Sequence, residues 1–178
     1  MPDEATTPPL VGQAELSLPV IGDITILWSS KGLVRLAWGG AVEPGIRIYK
    51  RPPAKLVRPL KDYARGRDVD LAAVPVDLRG TAFQRAVWNA LRAVPRGRLR
   101  TYAGIALDVG RPRAMRAVGA ANGKNPVPIV VPCHRIVGAG HKLGGYSGGL
   151  DRKRALLRLE GVRIEGEQLR PGQLSLFD

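Results

Sequence analysis

Between Thr81 and Gly97 the sequence leaves the backbone little choice. Phe83, Val87, Ala90, Leu91 and Val94 recur at spacings of three and four, which places them on one face of a helix. Thr81 and Gln84 offer a capping box before it, and Pro95 and Gly97 terminate it. A second helix is expected over 101–109, stopped by Gly110. A third is expected over 112–123, because the fixed φ of Pro112 suits a first helical position. Two short helices joined across Gly110 make a helix-turn-helix candidate.

The remainder is read around this helical block. Residues 1–14, rich in Pro and Thr without a period, read as a loose tail. Residues 24–28 and 33–38, separated by Ser29-Ser30-Lys31-Gly32, read as a β-hairpin. Further strands are expected at 46–49 and 74–78, with a short helix through Leu56, Leu60 and Tyr63 between them. The 178 residues and 44% hydrophobic content support a packed core. The expected division is an amino-terminal α/β domain at 15–79, a mostly helical domain at 80–165 and a tail at 166–178. Trp28, Trp38 and Trp88 are assigned to the core rather than to base stacking.

The formal charge of +13 points to a polyanionic partner, with nucleic acid first, because cations that neutralise phosphates release condensed counterions. The charge is concentrated on the helix-turn-helix candidate. Arg96, Arg98, Arg100, Arg111, Arg113, Arg116 and Lys124 stand there against the single acid Asp108. The small residues Ala114, Ala117, Gly119, Ala120 and Ala121 would let the third helix approach a groove closely. No stretch approaches the roughly 20 apolar residues that span a bilayer, and Met1-Pro-Asp-Glu-Ala-Thr-Thr-Pro-Pro lacks a secretory layout. A cytoplasmic protein is expected. One cysteine excludes an internal disulfide, and with only His134 and His141 beside it no zinc ligand set is credible. No metal or cofactor is expected.

That cysteine follows Asn125-Pro-Val-Pro-Ile-Val-Val-Pro132, which reads as an apolar strand held between prolines. A lone cysteine beside apolar residues is by default a small core residue, but its surroundings are unusual. Pro132-Cys133-His134-Arg135 is followed by Gly144-Gly145-Tyr146-Ser147-Gly148-Gly149 and preceded by Arg116-Ala-Val-Gly and Asn125-Pro-Val-Pro. These four motifs, in this order and approximate spacing, resemble the O6-alkylguanine-DNA alkyltransferases, or methylated-DNA–protein-cysteine methyltransferases. The resemblance covers roughly residues 16–165 and is strongest over 81–161.

The resemblance implies a small ribonuclease-H-like α/β domain followed by a helical domain with a helix-turn-helix. It implies direct DNA repair in which the alkyl group of O6-alkylguanine moves to Cys133, with O4-alkylthymine as a second candidate substrate. His134 then acts through water as the base and Glu160 orients it, repeating the logic of a hydrolase triad. Displacement at saturated carbon yields a thioether directly, so the protein acts once. A stacked base is out of reach of a thiol, so the nucleotide must be flipped. Arg116 matches the intercalating finger, Tyr102 the residue that pushes the flanking phosphate, and Arg113 and Arg135 are further DNA contacts. Asn125 matches the brace between recognition helix and active-site strand. Tyr146 and Ser147 match the pocket wall and the donor to guanine O6, and backbone groups near Val131 and Val137 would read the base edge. Entry is expected through the minor groove of duplex DNA, without sequence preference, by a monomer.

Two competing readings stand beside this one. Alkyltransferase-like proteins that bind damage without reacting share the scaffold but replace the cysteine, which Cys133 argues against. A cysteine hydrolase is disfavoured because Cys133 and His134 on one strand would point to opposite faces, and no oxyanion-hole motif is present. Finally, Gln173, Leu174, Leu176 and Phe177 form a terminal segment similar to the peptides with which bacterial repair proteins dock on the sliding clamp.

Overall fold

A computed structural model of the chain describes residues 7–40, 42–166 and 168–169. It is a mixed α/β chain in two compact units: unit 1 runs to Thr81 and also takes in Pro126–Val130, while unit 2 comprises Ala82–Asn125 and the chain from Val131 onward. The expected boundary at 79/80 falls two residues before this division. The return of 126–130 to the first unit was not foreseen.

In unit 1, β1 (Leu10–Leu18), β2 (Gly22–Ser29) and β3 (Leu33–Trp38) form an antiparallel sheet in that order. The central strand β2 is buried continuously from Ile24 to Ser29, as its run of apolar residues requires. Register is set by Leu16 and Trp38 facing Ile24 from either side. Gly32 is required at the β2–β3 turn, because a Cβ there would lie 2.4 Å from the Pro75 carbonyl. Helix α1 (Ala54–Ala64) buries Leu56, Leu60 and Tyr63, the stripe read from sequence, and Val57 with them. Pro126 accepts a hydrogen bond from the Leu36 amide at 2.8 Å, attaching 126–130 to β3.

Several expectations are corrected. The loose tail ends before Leu10, where β1 begins, since Leu10–Leu18 supplies the sheet with an outer partner for β2. Residues 46–49 do not form a strand; Ile48 makes a single parallel bridge to Gln13. The Gln13 side chain holds the carbonyls of Glu43 and Ile46 at 2.8 and 2.9 Å, so this segment loops over β1 instead of extending along it. Residues 74–78 likewise make one bridge, Val76 to Leu33. Pro75 within them has no amide to donate to a ladder.

Unit 2 contains α2 (Ala82–Arg92), β4 (Arg100–Thr101), α3 (Tyr102–Asp108), α4 (Met115–Gly123), β5 (Ile136–Val137), α5 (Leu150–Leu159) and the hairpin β6 (Ile164–Glu165) with β7 (Gln168–Leu169). Helix α2 buries Val87, Trp88 and Leu91, and the Trp88 indole donates to the Ala121 carbonyl of α4 at 2.9 Å. The third helix starts at Met115 rather than Pro112, which lies in the turn after Gly110. The tail expected from 166 is also corrected: Leu169 in β7 is buried against Leu99, Val137, Leu157 and Val162. Gln173, Leu174, Leu176 and Phe177 lie outside the described residues. No helix among the described residues is long and apolar enough to cross a membrane.

Candidate active site

The site in unit 2 is organised by one short parallel pairing. β5 runs beside β4, with Ile136 opposite Arg100 and Val137 opposite Thr101. Because the pairing is parallel, α3 starts where the chain also leaves Val137, and the residues before Arg100 run beside the turn that precedes β5. Thr101 caps α3 by accepting from the Gly104 amide at 3.0 Å. At the other end of the helix, Arg100 grips Asp108 through two bonds of 2.8 and 3.1 Å.

The turn before β5 is a single 3-10 turn, Cys133–Arg135, and no strand precedes it. Pro126, Pro128 and Pro132 remove the donors that a ladder would need, and Ile129 turns the chain with φ of +75°. The expected apolar strand is therefore a buried irregular segment, and the argument from strand alternation of Cys133 and His134 does not apply to it.

Cys133 is 1% exposed. Its sulfur accepts from the Asn125 amide nitrogen at 3.0 Å, and the same nitrogen donates to the Val131 carbonyl at 2.7 Å. Asn125 thus braces the turn and holds the thiol. Burial pushes the thiol up, while the Asn125 and Tyr146 hydrogen bonds and the charge of Lys153 pull it down without overcoming burial. The resting nucleophile is a thiol, and it needs a base.

His134 is fully buried, with Nε2 2.8 Å from a Glu160 carboxylate oxygen. Glu160 caps the C-terminus of α5. It also accepts from Arg135 Nε at 3.0 Å, from Arg135 Nη2 at 2.9 Å and from the Gly97 amide at 3.2 Å. Burial would raise this carboxyl, but His134 and Arg135 outweigh it and hold Glu160 below the usual carboxylate range. Burial pushes His134 below its ordinary value and Glu160 opposes this only in part. Arg135 therefore compensates the carboxylate and the imidazole rests neutral. With Nε2–H donating to Glu160, the Nδ1 lone pair is the acceptor.

Arg135 is a correction. Expected at the DNA surface, it is 6% exposed, forked onto Glu160 and bonded to the Val94 carbonyl at 2.5 Å. Its planar donors are consumed inside the protein, so no phosphate can use them. Lys153 is an omission from the sequence reading. It is 0% exposed, and Nζ donates to the carbonyls of Ile136, Leu143 and Gly145 at 2.6, 2.5 and 3.3 Å, fastening the segment between β5 and Tyr146. Burial pushes its ammonium down to about 8 against the attraction of Cys133. Helical spacing carried the signal, since Lys153, Leu156 and Leu157 of α5 and its C-cap Glu160 recur at intervals of three and four.

Of the other candidates, Tyr146 makes a hydrogen bond with the Cys133 thiol, and Tyr102 is near enough to respond to its charge. Burial and the nearby Cys133 raise the Tyr102 phenol, and its ring lies against Gly119 of α4. Val131 and Val137 are buried, whereas Ser147 is exposed. Arg113 and Arg116 are also exposed, the first on the turn between α3 and α4 and the second on α4. Among the described residues no three His, Cys, Asp or Glu side chains gather as a metal site.

Residues 82–162 match the family model of the 6-O-methylguanine DNA methyltransferase DNA-binding domain. A methylated-DNA–protein-cysteine methyltransferase of Mycobacterium tuberculosis is 55% identical over 105 residues, 59% of this chain. The chain spans only 60% of that relative's length. The Salmonella typhimurium protein of the same name is 49% identical over 118 residues, 66% of this chain and 69% of its own. The crystal structure of the M. tuberculosis OGT in complex with DNA superposes with a TM-score of 0.74 at 41% identity, covering 84% of this chain and 92% of that one.

Proposed function

The chain belongs to the methylated-DNA–protein-cysteine methyltransferase family, and on that premise we propose that it repairs O6-alkylguanine in DNA by taking the alkyl group onto Cys133. The observation that carries the reading is a thiol braced by Asn125, beside a neutral histidine whose other nitrogen is occupied by Glu160.

The proton of the Cys133 thiol passes through a bridging water to His134 Nδ1. The sulfur forms a bond to the alkyl carbon as the bond from that carbon to guanine O6 breaks. Glu160 stabilises the imidazolium that forms, much as the carboxylate of a hydrolase triad does. The guanine leaves with both electrons of the broken bond. Tyr102, whose raised phenol keeps its proton, donates a hydrogen bond to it, as does Ser147, while Tyr146 walls the pocket. Backbone groups near Val131 and Val137 read the base edge. A flipped nucleotide is required, since the thiol cannot reach a stacked base.

The helices α3 and α4 act as a helix-turn-helix that enters the minor groove without sequence preference. Arg116 fills the vacated stack and Arg113 contacts phosphate. Support comes from α4 itself: it buries Val118, Ala121 and Asn122 and leaves Arg116, Ala117, Ala120 and Gly123 exposed, a face small enough to approach a groove. Unit 1, a three-stranded sheet followed by α1, is read as the ribonuclease-H-like domain. The protein works as a cytoplasmic monomer, with O4-alkylthymine as a further substrate and Gln173–Phe177 as a sliding-clamp peptide. The clamp reading is tested with a peptide of residues 168–178, which should bind the clamp saturably where a polymerase-derived peptide does.

Intact-protein mass spectrometry after incubation with duplex containing O6-methylguanine tests the activity. One methyl is gained by the wild type and none by Cys133→Ala. An unmodified wild-type protein that still binds the lesion would leave only non-catalytic binding.

A further inference from the structure

Unit 1 carries a cleft of about 430 Å³ between the segment at 50–52 and α1. Its rim holds Lys50, Arg51, Arg58, Lys61 and Arg65, with Asp62 the one acid among the lining residues. That carboxylate is already shared by three guanidinium groups: Arg67 at 2.8 Å, Arg65 at 3.8 Å and Arg58 at 3.9 Å. Among the described residues, Lys50, Arg51 and Lys61 have no carboxylate within ion-pairing distance. A face that merely keeps a helix in water would interleave its signs. Here five cations crowd one concavity against the single Asp62, and the repulsion that this carboxylate leaves is relieved by an anion drawn from outside.

The spacing indicates what kind of anion. Arg58, Lys61 and Arg65 sit at i, i+3 and i+7 of one helix and its C-cap, a row of roughly 10 Å at about 1.5 Å per residue. A nucleic acid strand carries a phosphate at every nucleotide, so a row of this length can meet more than one of them. An isolated phosphate would engage only part of it. The Arg58 side chain is 85% exposed, so a strand laid over the rim can reach it.

We propose that this cleft is a second DNA-contact surface, in unit 1, that holds consecutive phosphates of the duplex backbone. It rests on the DNA reading above and adds to it a contact made outside the helix-turn-helix.

The test compares Arg51→Ala/Lys61→Ala with Lys31→Ala/Arg35→Ala, an equal loss of charge on the same unit outside the cleft. Binding of the full chain to an undamaged duplex is followed by fluorescence anisotropy over a range of salt, with thermal melting as the control for folding. Removing two phosphate contacts should flatten the slope of log affinity against log salt by roughly 2 and weaken binding about tenfold or more at low salt. The control pair should leave the slope within the scatter of the wild type. An unchanged slope in the cleft variant, or an equal change in both variants, would overturn the second surface while leaving the DNA reading intact. A wild-type chain that binds no duplex would overturn both.

Discussion

At Glu160 two cations compete to compensate one buried carboxylate, and the winner decides what His134 can do. Arg135 is forked onto it, so His134 can stay neutral and accept a proton. Because burial lowers its folded pKa, His134 remains neutral below 6.5, the ordinary value. The single-turnover methyl-transfer rate should therefore hold steady as pH falls through neutrality and drop only below that value; a decline beginning above pH 7 would contradict the assignment. Stability should also fall in that acid range, since the unfolded chain then binds a proton that the folded one resists. In Glu160→Gln the buried Arg135 loses its counter-charge, which should lower stability in urea denaturation by about 3–5 kcal/mol, and His134 loses the carboxylate that orients it and stabilises its imidazolium, which should slow transfer by ~100-fold or more. Lys153 titrates in the opposite range. Its folded pKa of about 8 lies below the unfolded 10.5, so between these values the unfolded chain binds more protons and stability should rise with pH. Lys153→Met should abolish that rise and cost roughly 2–4 kcal/mol at neutral pH by stranding three buried carbonyls.

At the scale of elements, the proposed recognition and the proposed chemistry fall on different segments. Arg116 is on the exposed face of α4, while Cys133 lies in the turn before β5. Arg116→Ala should slow transfer from duplex about 10-fold or more, the flipped state losing a few kcal/mol of support, yet leave transfer from free O6-benzylguanine near the wild-type rate. Equal losses on both substrates would remove the role given to it. The helices were legible in sequence because each is a local pattern, such as the stripe of α2 and the stop at Gly110. The strands expected at 46–49 and 74–78 were not, since a strand exists only by its partner. At one place the Gln13 side chain takes the carbonyls, and at the other Pro75 interrupts the donors. The cysteine segment misled for a related reason: apolar residues between prolines look extended, but Ile129 turns the chain.

For the whole molecule, the chemistry predicts a reagent rather than a turnover catalyst. With lesion in excess, repair should stop at one equivalent per protein, because a thioether has a poor leaving group and nothing described at the site hydrolyses it; a second equivalent, seen by product chromatography, would require a different mechanism. Sequence alone established the helical block and brought Cys133, His134, Glu160 and Arg116 forward as candidates through the resemblance its motifs carry, since motif order and helical period belong to neighbours along the chain. Only the tertiary structure decided that Arg135 faces Glu160 rather than DNA, that Lys153 is buried under three carbonyls, and that Pro126–Val130 joins the first unit. Charge state and burial depend on which distant segments exclude water from a group. Those distances are set by packing, which no local pattern encodes.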